Sequence, residues 1–188
     1  MNVYDFDKTI YDGDSTLEYY FFCVKRYPAV LCCVPQQLYG LLKYKVGIID
    51  KTQFKEEFYC FLYKIKNIDE TIKAFWDSNQ YKIKDWYKMQ QKSDDLVISA
   101  SPEFLLEEIC KRINICNLIA SRVDKKTGHY NGYNCYGIEK VKRYKEKYGK
   151  QNISCFYSDS KSDEPFALIS EKAFMVSGNN IQPWQFLK

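Results

Sequence analysis

Three groups of polar side chains that could do chemistry each follow a short apolar run of the sequence. Asp5 and Asp7 follow the first run, residues 99–101 (Ser-Ala-Ser) end the second, and residues 158–163 follow a third; Lys140 opens the helix predicted before that third run. In open α/β sheets, ligands bind beyond the carboxyl ends of the strands. We therefore expect these side chains to meet at one edge of a sheet.

Carboxylates gathered at one point repel each other unless a cation neutralises them, and hard oxygen ligands suit Mg²⁺. Such an ion keeps positions open for water and for phosphate oxygens. A carboxylate beside it can attack phosphorus, while a lysine and backbone N–H groups hold the remaining oxygens. These residue types therefore predict phosphoryl transfer.

The chain contains a single histidine, His129, which excludes His-rich zinc sites and leaves one candidate for any histidine-dependent nucleophile. Its Thr-Gly-His-Tyr context predicts an exposed turn residue. Acid–base chemistry would then depend on carboxylates or lysine.

The elements that must position these groups change in type along the chain. A strand is predicted over residues 2–6, and the sequence Ser-Thr-Leu-Glu at 15–18 predicts a capping box that opens a helix to about residue 27. Apolar residues at intervals of three and four predict further helices over 34–44, 51–64, 68–77 and 80–89. Because no strand-like alternation interrupts residues 14–92, we expect a helical bundle there.

Strands and helices alternate after this block. Strands are predicted at 96–98, 118–120, 153–157 and 173–176, and helices from Ser101 to about residue 113, at 139–148 and at 165–169, with a small hairpin within 128–137. This alternation predicts an α/β fold with a parallel sheet. The predicted division is a core of residues 1–13 and 93–188 and an all-helical domain of residues 14–92.

These three groups and Lys140, which makes a fourth, also resemble the ordered motifs of the haloacid-dehalogenase-like superfamily. Residues 5–9 (Asp-Phe-Asp-Lys-Thr) resemble its DxDxT motif, residues 97–102 its second motif, Lys140 the lysine of the third, and Asp159 with Asp163 the acidic pair of the fourth. The helical block is similar to the cap of the phosphoserine-phosphatase-like subgroup. The resemblance implies a Rossmann-like core with the cap inserted between the first and second motifs.

The resemblance also implies roles for the first-motif residues. Asp5 would be the nucleophile and a Mg²⁺ ligand. Asp7 would protonate the leaving group and then activate water, and its backbone carbonyl would bind the metal. The second aspartate favours a phosphatase over a dehalogenase, because hydrolytic halide loss needs no proton donor.

The other motifs would bind phosphate and metal. Ser99 and Ala100 would lie in the phosphate site, Lys140 would neutralise charge on the phosphate and on Asp5, and Asp159 and Asp163 would hold or support the metal. The implied activity is Mg²⁺-dependent hydrolysis of a phosphomonoester through an aspartyl-phosphate. A phosphotransferase of the same fold and a non-catalytic phospho-ligand-binding protein are the alternatives.

The substrate stays open between two classes. Asp14 occupies the position of a glutamate that recognises the substrate amine in phosphoserine phosphatases, but it could equally cap the next helix. The helical block is rich in aromatic and aliphatic residues, with Arg26 as its one arginine. This composition would suit a bulkier or less polar phosphomonoester, including a lipid-derived one such as phosphatidylglycerophosphate, but it could also be only the core of the helical bundle.

Each assignment also has a purely structural alternative. Asp5 and Asp7 could be turn residues, and Ser101 could be either a phosphate contact or only a helix cap. Lys140 lies in a run with other basic residues, so a solvated helix face is its alternative. Thr9 could stabilise the first loop instead of contacting substrate.

Composition limits the remaining classes. The 188 residues, 46% of them hydrophobic, suffice for one folded domain with a small subdomain, and the net charge of +4 is spread over scattered basic residues, which does not indicate nucleic-acid binding. Eight cysteines without a CxxC pair or a signal segment predict reduced, buried thiols in a cytoplasmic protein. No integral membrane segment is expected, and the sequence does not predict an oligomeric state.

Overall fold

The computed structural model describes residues 1–186 as an α/β fold in which helices cover both faces of one sheet. Residues 187 and 188, the end of the predicted core, lie outside the described part. The strands are β1 (Asn2–Tyr4), β2 (Leu96–Pro102), β3 (Asn117–Ser121), β4 (Cys155–Ser158), β5 (Lys172–Ser177) and β6 (Asn180–Pro183). The helices are α1 (Ser15–Arg26), α2 (Val34–Lys45), α3 (Lys51–Phe58), α4 (Ile68–Asn79), α5 (Asp85–Gln90), α6 (Glu103–Arg112), α7 (Ile138–Tyr148) and α8 (Glu164–Ala167).

The sheet has the strand order β3-β2-β1-β4-β5-β6, with β1 to β5 parallel and β6 antiparallel. In the centre, β1 pairs with β2 on one side and with β4 on the other. The carboxyl ends of these three neighbouring strands therefore lie side by side, as the sequence predicted. The α/β fold class with a helical insertion is confirmed; β6 was not predicted.

Alternate residues of the central strands face two separate apolar clusters. Tyr4 and Val97 belong to one cluster, with aromatic residues of α1 and α4. Val3, Leu96 and Ile98 belong to the other, with residues of α7 and α8. Burial on both faces is typical of the central strands of a parallel sheet.

The five helices α1 to α5 form the insertion between β1 and β2, joined by 3₁₀ turns at Pro28–Cys33, Tyr59–Lys64 and Gln80–Lys82. Within it, the rings of Tyr19 and Phe75 lie 5.5 Å apart. Tyr87 of α5 packs edge-on against Tyr4 of β1 at 4.8 Å, so the insertion's end lies directly on the sheet. The division into two domains stays a prediction.

The start of α1 differs from the predicted capping box. Asp14, not Ser15, is the N-cap, because its carboxylate accepts from the Leu17 amide at 3.0 Å. Glu18 does not reach back to the cap; it accepts from the Tyr11 hydroxyl and pairs with Lys82 at 3.0 Å.

The start of α6 was also predicted too early. Ser101 belongs to β2, which continues past an irregularity to pair Pro102 with Ser121, and α6 begins at Glu103. Ser101 is therefore not a helix cap.

Three smaller differences concern local geometry. The helix predicted over 51–64 ends at Phe58 and continues as a 3₁₀ turn, and the helix predicted over 80–89 is a 3₁₀ turn followed by α5. The predicted hairpin at 128–137 contains no strand in the described chain, only the bridge between Val123 and Tyr130. Five cysteines are buried as predicted, but Cys32 and Cys116 are exposed.

Candidate active site

Asp5, Lys140 and Asp163 form a buried ion cluster beyond the carboxyl ends of β1 and β4. The Lys140 ammonium lies 2.6 Å from Asp5 Oδ1 and 2.7 Å from Asp163 Oδ2. Ser158, the last residue of β4, donates to Asp163 Oδ2 at 2.8 Å. Lys140 is 2% exposed, which rules out the solvated helix face as its role.

The charges of this cluster do not balance. Burial raises the pKa of Asp5, the Lys140 ammonium opposes that shift, and Asp163 and Asp159 raise the pKa further. Burial alone would lower the pKa of Lys140, but Asp163 and Asp5 hold it above its ordinary value. Within the cluster two carboxylates, those of Asp5 and Asp163, share one ammonium, which leaves an excess of negative charge, whereas the Asp159 carboxylate also faces the Lys8 ammonium.

Asp7 lies beside the cluster with only neutral hydrogen-bond donors. Its Oδ1 accepts from the Ser15 backbone amide at 2.6 Å, and its Oδ2 accepts from the Ser101 hydroxyl at 2.5 Å. Burial and the nearby Asp14 carboxylate raise the pKa of Asp7 to about 6, although the bonds from Ser101 and Ser15 counteract them. A carboxyl group of this pKa can hold a proton near neutrality and release it again.

The first-motif loop is fixed from two sides. Thr9 is fully buried, and its hydroxyl accepts from the Asp159 amide at 3.0 Å, which joins the loops after β1 and β4. Lys8 has a positive φ of 58°, an unfavourable conformation for a residue with a Cβ. The buried Lys84 ammonium donates to the Lys8 carbonyl at 2.7 Å and holds that strained turn.

The end of β2 supplies hydroxyl groups to the same place. Ser99 is buried, and its hydroxyl accepts from the Ser101 amide at 3.1 Å. Ser101 also lies 2.9 Å from the Thr16 hydroxyl of α1. The Ser101 hydroxyl therefore contacts Asp7 and α1, and the sequence did not predict these contacts.

Lys55 of α3 is a second residue that sequence reasoning missed. Its ammonium donates to the Ala100 carbonyl at 2.8 Å and to Asn134 Oδ1 at 3.2 Å. Burial, together with the nearby Lys51, lowers the pKa of Lys55 to about 8. No spacing in the sequence distinguishes this lysine from the others on the helical insertion.

A cavity of about 560 Å³ lies between the ion cluster and the insertion. Its polar lining includes all eight predicted site residues, namely Asp5, Asp7, Asp14, Ser99, Ala100, Lys140, Asp159 and Asp163. The insertion lines its other side with the apolar residues Leu17, Leu38, Leu41, Phe54 and Phe58 and with the polar residues Thr16, Gln37, Lys51 and Lys55. The predicted residues are thus brought together at one cavity.

Two residues considered for substrate recognition have other contacts. Asp14 lines the cavity, but its Oδ1 caps α1. Arg26 is exposed in the last turn of α1, beside the ring of Tyr27, and does not line this cavity. His129 is an exposed turn residue, as predicted.

The residues present fit a divalent cation held partly by the backbone. Within residues 1–186, no three His, Cys, Asp or Glu side chains are arranged to hold a metal by themselves. However, the buried Asp163 Oδ1 has no hydrogen-bond partner among these residues, and the pKa of Asp159 is raised by burial and by Asp163. A cation would offset the excess negative charge described above.

A family model described as haloacid dehalogenase-like hydrolase matches residues 3–168, which include every group of the site. The chain belongs to the haloacid dehalogenase-like hydrolases. This membership explains why the four groups occur in this order along the chain. No curated protein matches the chain.

Solved structures share the fold at low sequence identity. A protein of unknown function from Bordetella pertussis Tohama I is 18% identical with a TM-score of 0.71, covering 92% of this chain and 87% of its own. A phosphoserine phosphohydrolase-like protein from Francisella tularensis subsp. tularensis SCHU S4 is 13% identical with a TM-score of 0.54, covering 92% and 86%. A HAD family hydrolase from Salmonella enterica subsp. enterica serovar Typhi is 13% identical with a TM-score of 0.57, covering 89% and 59%.

Proposed function

We propose that this haloacid dehalogenase-like hydrolase is a Mg²⁺-dependent phosphomonoesterase of the cytoplasm that works through a phosphorylated Asp5. The observation that carries the proposal is the Lys140 ammonium, which contacts both Asp5 and Asp163 at the polar end of the cavity, beside Asp7. Stepwise phosphoryl transfer requires a nucleophile, here the Asp5 carboxylate beside the Lys140 ammonium, and a separate carboxyl group that carries a proton, here that of Asp7.

In the first step, an oxygen of Asp5 attacks phosphorus, and the bond from phosphorus to the substrate's alkoxy oxygen breaks. Asp7 gives its proton to that oxygen, so the product leaves as a neutral alcohol. The raised pKa of Asp7 supports this assignment.

In the second step, Asp7 takes a proton from water, and the water oxygen attacks phosphorus. The bond between phosphorus and Asp5 breaks, which releases inorganic phosphate and restores the carboxylate. Asp7 ends the cycle protonated, and no other proton carrier is needed.

Phosphate oxygens are held by groups at the ends of β2 and α7. Ser99 and Lys140, whose ammonium lies 2.6 Å from Asp5, both line the cavity, and Ala100 lies at its wall. Preorganised donors in a site with little water stabilise the charge that develops on the transferring phosphoryl group.

Mg²⁺ would be held by the carboxylates of Asp5 and Asp159 and the backbone carbonyl of Asp7, with Asp163 supporting the site. When bound, the ion supplies charge neutralisation between the nucleophile and the phosphate oxygens. The excess negative charge around Lys140 supports this assignment.

The substrate is a small phosphomonoester with an apolar part. The insertion contributes three leucines and two phenylalanines to the cavity lining, beside Gln37, Lys51 and Lys55, and Asp14 already caps α1. Both observations favour the lipid-derived class over a phosphoserine-like substrate.

Hydrolysis of p-nitrophenyl phosphate with and without Mg²⁺ tests the reaction. We expect turnover that EDTA abolishes and Mg²⁺ restores, and a loss of at least about 10³-fold in Asp5→Asn, because its amide cannot act as the nucleophile. Turnover that needs no metal, or that survives Asp5→Asn in a folded protein, would contradict the mechanism.

A panel of serine, sugar, nucleotide and lipid phosphates tests the substrate class. Phosphates with an apolar tail should give the highest kcat/KM. No turnover on any member would favour the non-catalytic binding protein.

A further inference from the structure

Helix α2 packs with its apolar residues facing outward. Its buried residues are Gln37 and Gly40, whereas Leu38 and Leu42 are 56% and 61% exposed. A surface helix normally turns its leucines toward the core. Within residues 1–186, this apolar stripe is left largely uncovered.

Helix α1 carries a second stripe of the same kind. Leu17, Phe21 and Lys25 follow at intervals of four residues and share one helix face, and Leu17 and Phe21 are 46% and 58% exposed. On α2, Leu38, Leu42 and Lys45 share a face in the same way. Each stripe therefore runs from leucine to lysine.

Both stripes begin at the cavity. The Tyr20 hydroxyl of α1 donates to Gln37 Oε1 of α2 at 2.9 Å, which joins the helices, and Leu17 and Leu38 both line the cavity. We call Leu17, Phe21, Leu38 and Leu42 the apolar rim. It is continuous with the apolar side of the substrate cavity.

The surroundings of the apolar rim are basic. Residues 19–49 contain Lys25, Arg26, Lys43 and Lys45 and no acidic residue, so this segment carries the whole formal net charge of +4. Lys43 pairs with Glu57, but Lys25, Arg26 and Lys45 make no ion pair within residues 1–186. A partner that suits both features is apolar inside and anionic at its surface.

We propose that the apolar rim docks on an anionic lipid surface. Leucine and phenylalanine side chains enter the boundary between headgroups and acyl chains, and the lysines contact lipid phosphates. Docking places the cavity mouth at the interface, so that a phosphomonoester lipid can enter without crossing water. That last consequence rests on the proposed function, whereas the docking itself does not.

Vesicle flotation tests the docking without any turnover. The purified full chain is mixed with phosphatidylcholine vesicles that contain either no anionic lipid or about one third phosphatidylglycerol. We expect flotation with the anionic vesicles, at least about tenfold weaker binding to neutral vesicles, and release as NaCl is raised to 0.5 M.

Two double variants test the residues. Phe21→Ser/Leu42→Ser and Lys25→Glu/Lys45→Glu should each weaken binding about tenfold or more. None of these four residues lines the cavity, so hydrolysis of p-nitrophenyl phosphate should be unchanged. The control is Met89→Ser/Leu168→Ser, which removes two exposed apolar side chains elsewhere and should bind as wild type.

Failure of the wild type to float, or equal flotation of all variants, overturns the docking proposal. A concentration-dependent dimer in sedimentation that Phe21→Ser/Leu42→Ser dissociates would assign the rim to a second copy of the chain and would also overturn it. If vesicles bind but no phosphoester is hydrolysed, the proposed function fails while the docking stands.

Discussion

At the scale of single residues, the carboxylates of the site differ in the partners that surround them. Burial raises the pKa of both Asp5 and Asp7, but only Asp5 has an ammonium, that of Lys140, at 2.6 Å to oppose the shift. Asp7 has neutral donors, Ser101 and the Ser15 amide. Burial still raises the pKa of Asp5 to about 7 and that of Asp7 to about 6, so the roles proposed for them, nucleophile for Asp5 and proton carrier for Asp7, rest on these different partners.

Asp7→Asn tests this division of roles. The amide cannot donate an acidic proton, so kcat should fall by about 10²–10⁴-fold on an alkyl phosphate. The fall should be much smaller on p-nitrophenyl phosphate, because p-nitrophenolate leaves readily without protonation. Steady-state kinetics on both substrates measure the difference.

Asp12→Asn is the matched control, since Asp12 is an exposed acid of the same loop. It should leave both rates near wild type. Equal losses on the two substrates in Asp7→Asn would show that Asp7 does not protonate the leaving group.

Lys55 is expected to contribute to substrate binding through its charge. Its pKa of about 8 means that the ammonium is charged below pH 8 and loses its charge as the pH rises above that value. The substrate phosphate is already dianionic there, its second pKa being about 6. The KM of the wild type should therefore rise as the pH passes from 7 to 9.

Lys55→Met should show a raised KM at pH 7 that no longer changes between pH 7 and 9, with kcat less affected. Lys64→Met, which removes an exposed lysine of the same insertion, is the control and should keep the wild-type profile. A KM that still rises with pH in Lys55→Met would assign the titration to another group.

At the scale of elements, α3 is tied to the loop after β3 through several contacts. The Glu56 carboxylate accepts from the Tyr130 amide at 2.8 Å, and Lys55 reaches Asn134 of the same loop. Next to α3, Gly128 lies against the 3₁₀ turn: a Cβ added there would stand 2.9 Å from the Tyr59 carbonyl oxygen. The helical insertion therefore contacts the core along a tight seam.

Gly128→Ala tests this close approach, with Gly47→Ala as its control. The two glycines have φ of 75° and 76°, so both alanines carry the same strain of about 1–2 kcal/mol, but nothing lies within 4 Å of the Cβ at Gly47. Gly128→Ala should lose about 1–3 kcal/mol more. Chemical denaturation measures both; equal losses would show that the seam tolerates the methyl group.

The local sequence pattern predicted some of the strands and helices and not others. The first half of β2, residues 96–98, and helices such as α4 follow from apolar runs and periodicity. The predicted capping box at Ser15 does not form, because the Ser15 amide donates to Asp7 and Asp14 takes the N-cap position by accepting from the Leu17 amide. The bond from Ser15 to Asp7 is a contact with the first-motif loop, which local pattern does not contain.

At the scale of the whole molecule, most of the predicted site residues line one cavity because they follow neighbouring parallel strands, whereas Lys140 and Asp14 reach it from α7 and from the start of α1. The sequence could not place Lys55 there, because its position depends on how the insertion folds back over β2. Ser101 likewise looked like a helix cap until β2 proved long enough to bring its hydroxyl to Asp7. Motif residues were thus predictable, and contacts between the insertion and the core were not.

The insertion and the core share one apolar cluster, which has a consequence for unfolding. Trp76 of α4 is fully buried against Phe6 and Tyr11, and its indole N–H donates to the Leu105 carbonyl of α6 at 2.8 Å. Unfolding of either the insertion or the core would expose the apolar side chains that the other part packs against. We therefore expect a single calorimetric transition with equal calorimetric and van't Hoff enthalpies.

Trp76→Phe should lower the midpoint of that single transition, with a loss of about 1–3 kcal/mol, because the buried hydrogen bond to the Leu105 carbonyl is lost and the smaller ring leaves part of the indole's volume unfilled. The control is Trp86→Phe, since the Trp86 indole N–H has no hydrogen-bond partner within residues 1–186, and its loss should be smaller. Two separate transitions in the wild type would mean that the insertion unfolds by itself, and the shared cluster would then not couple it to the sheet.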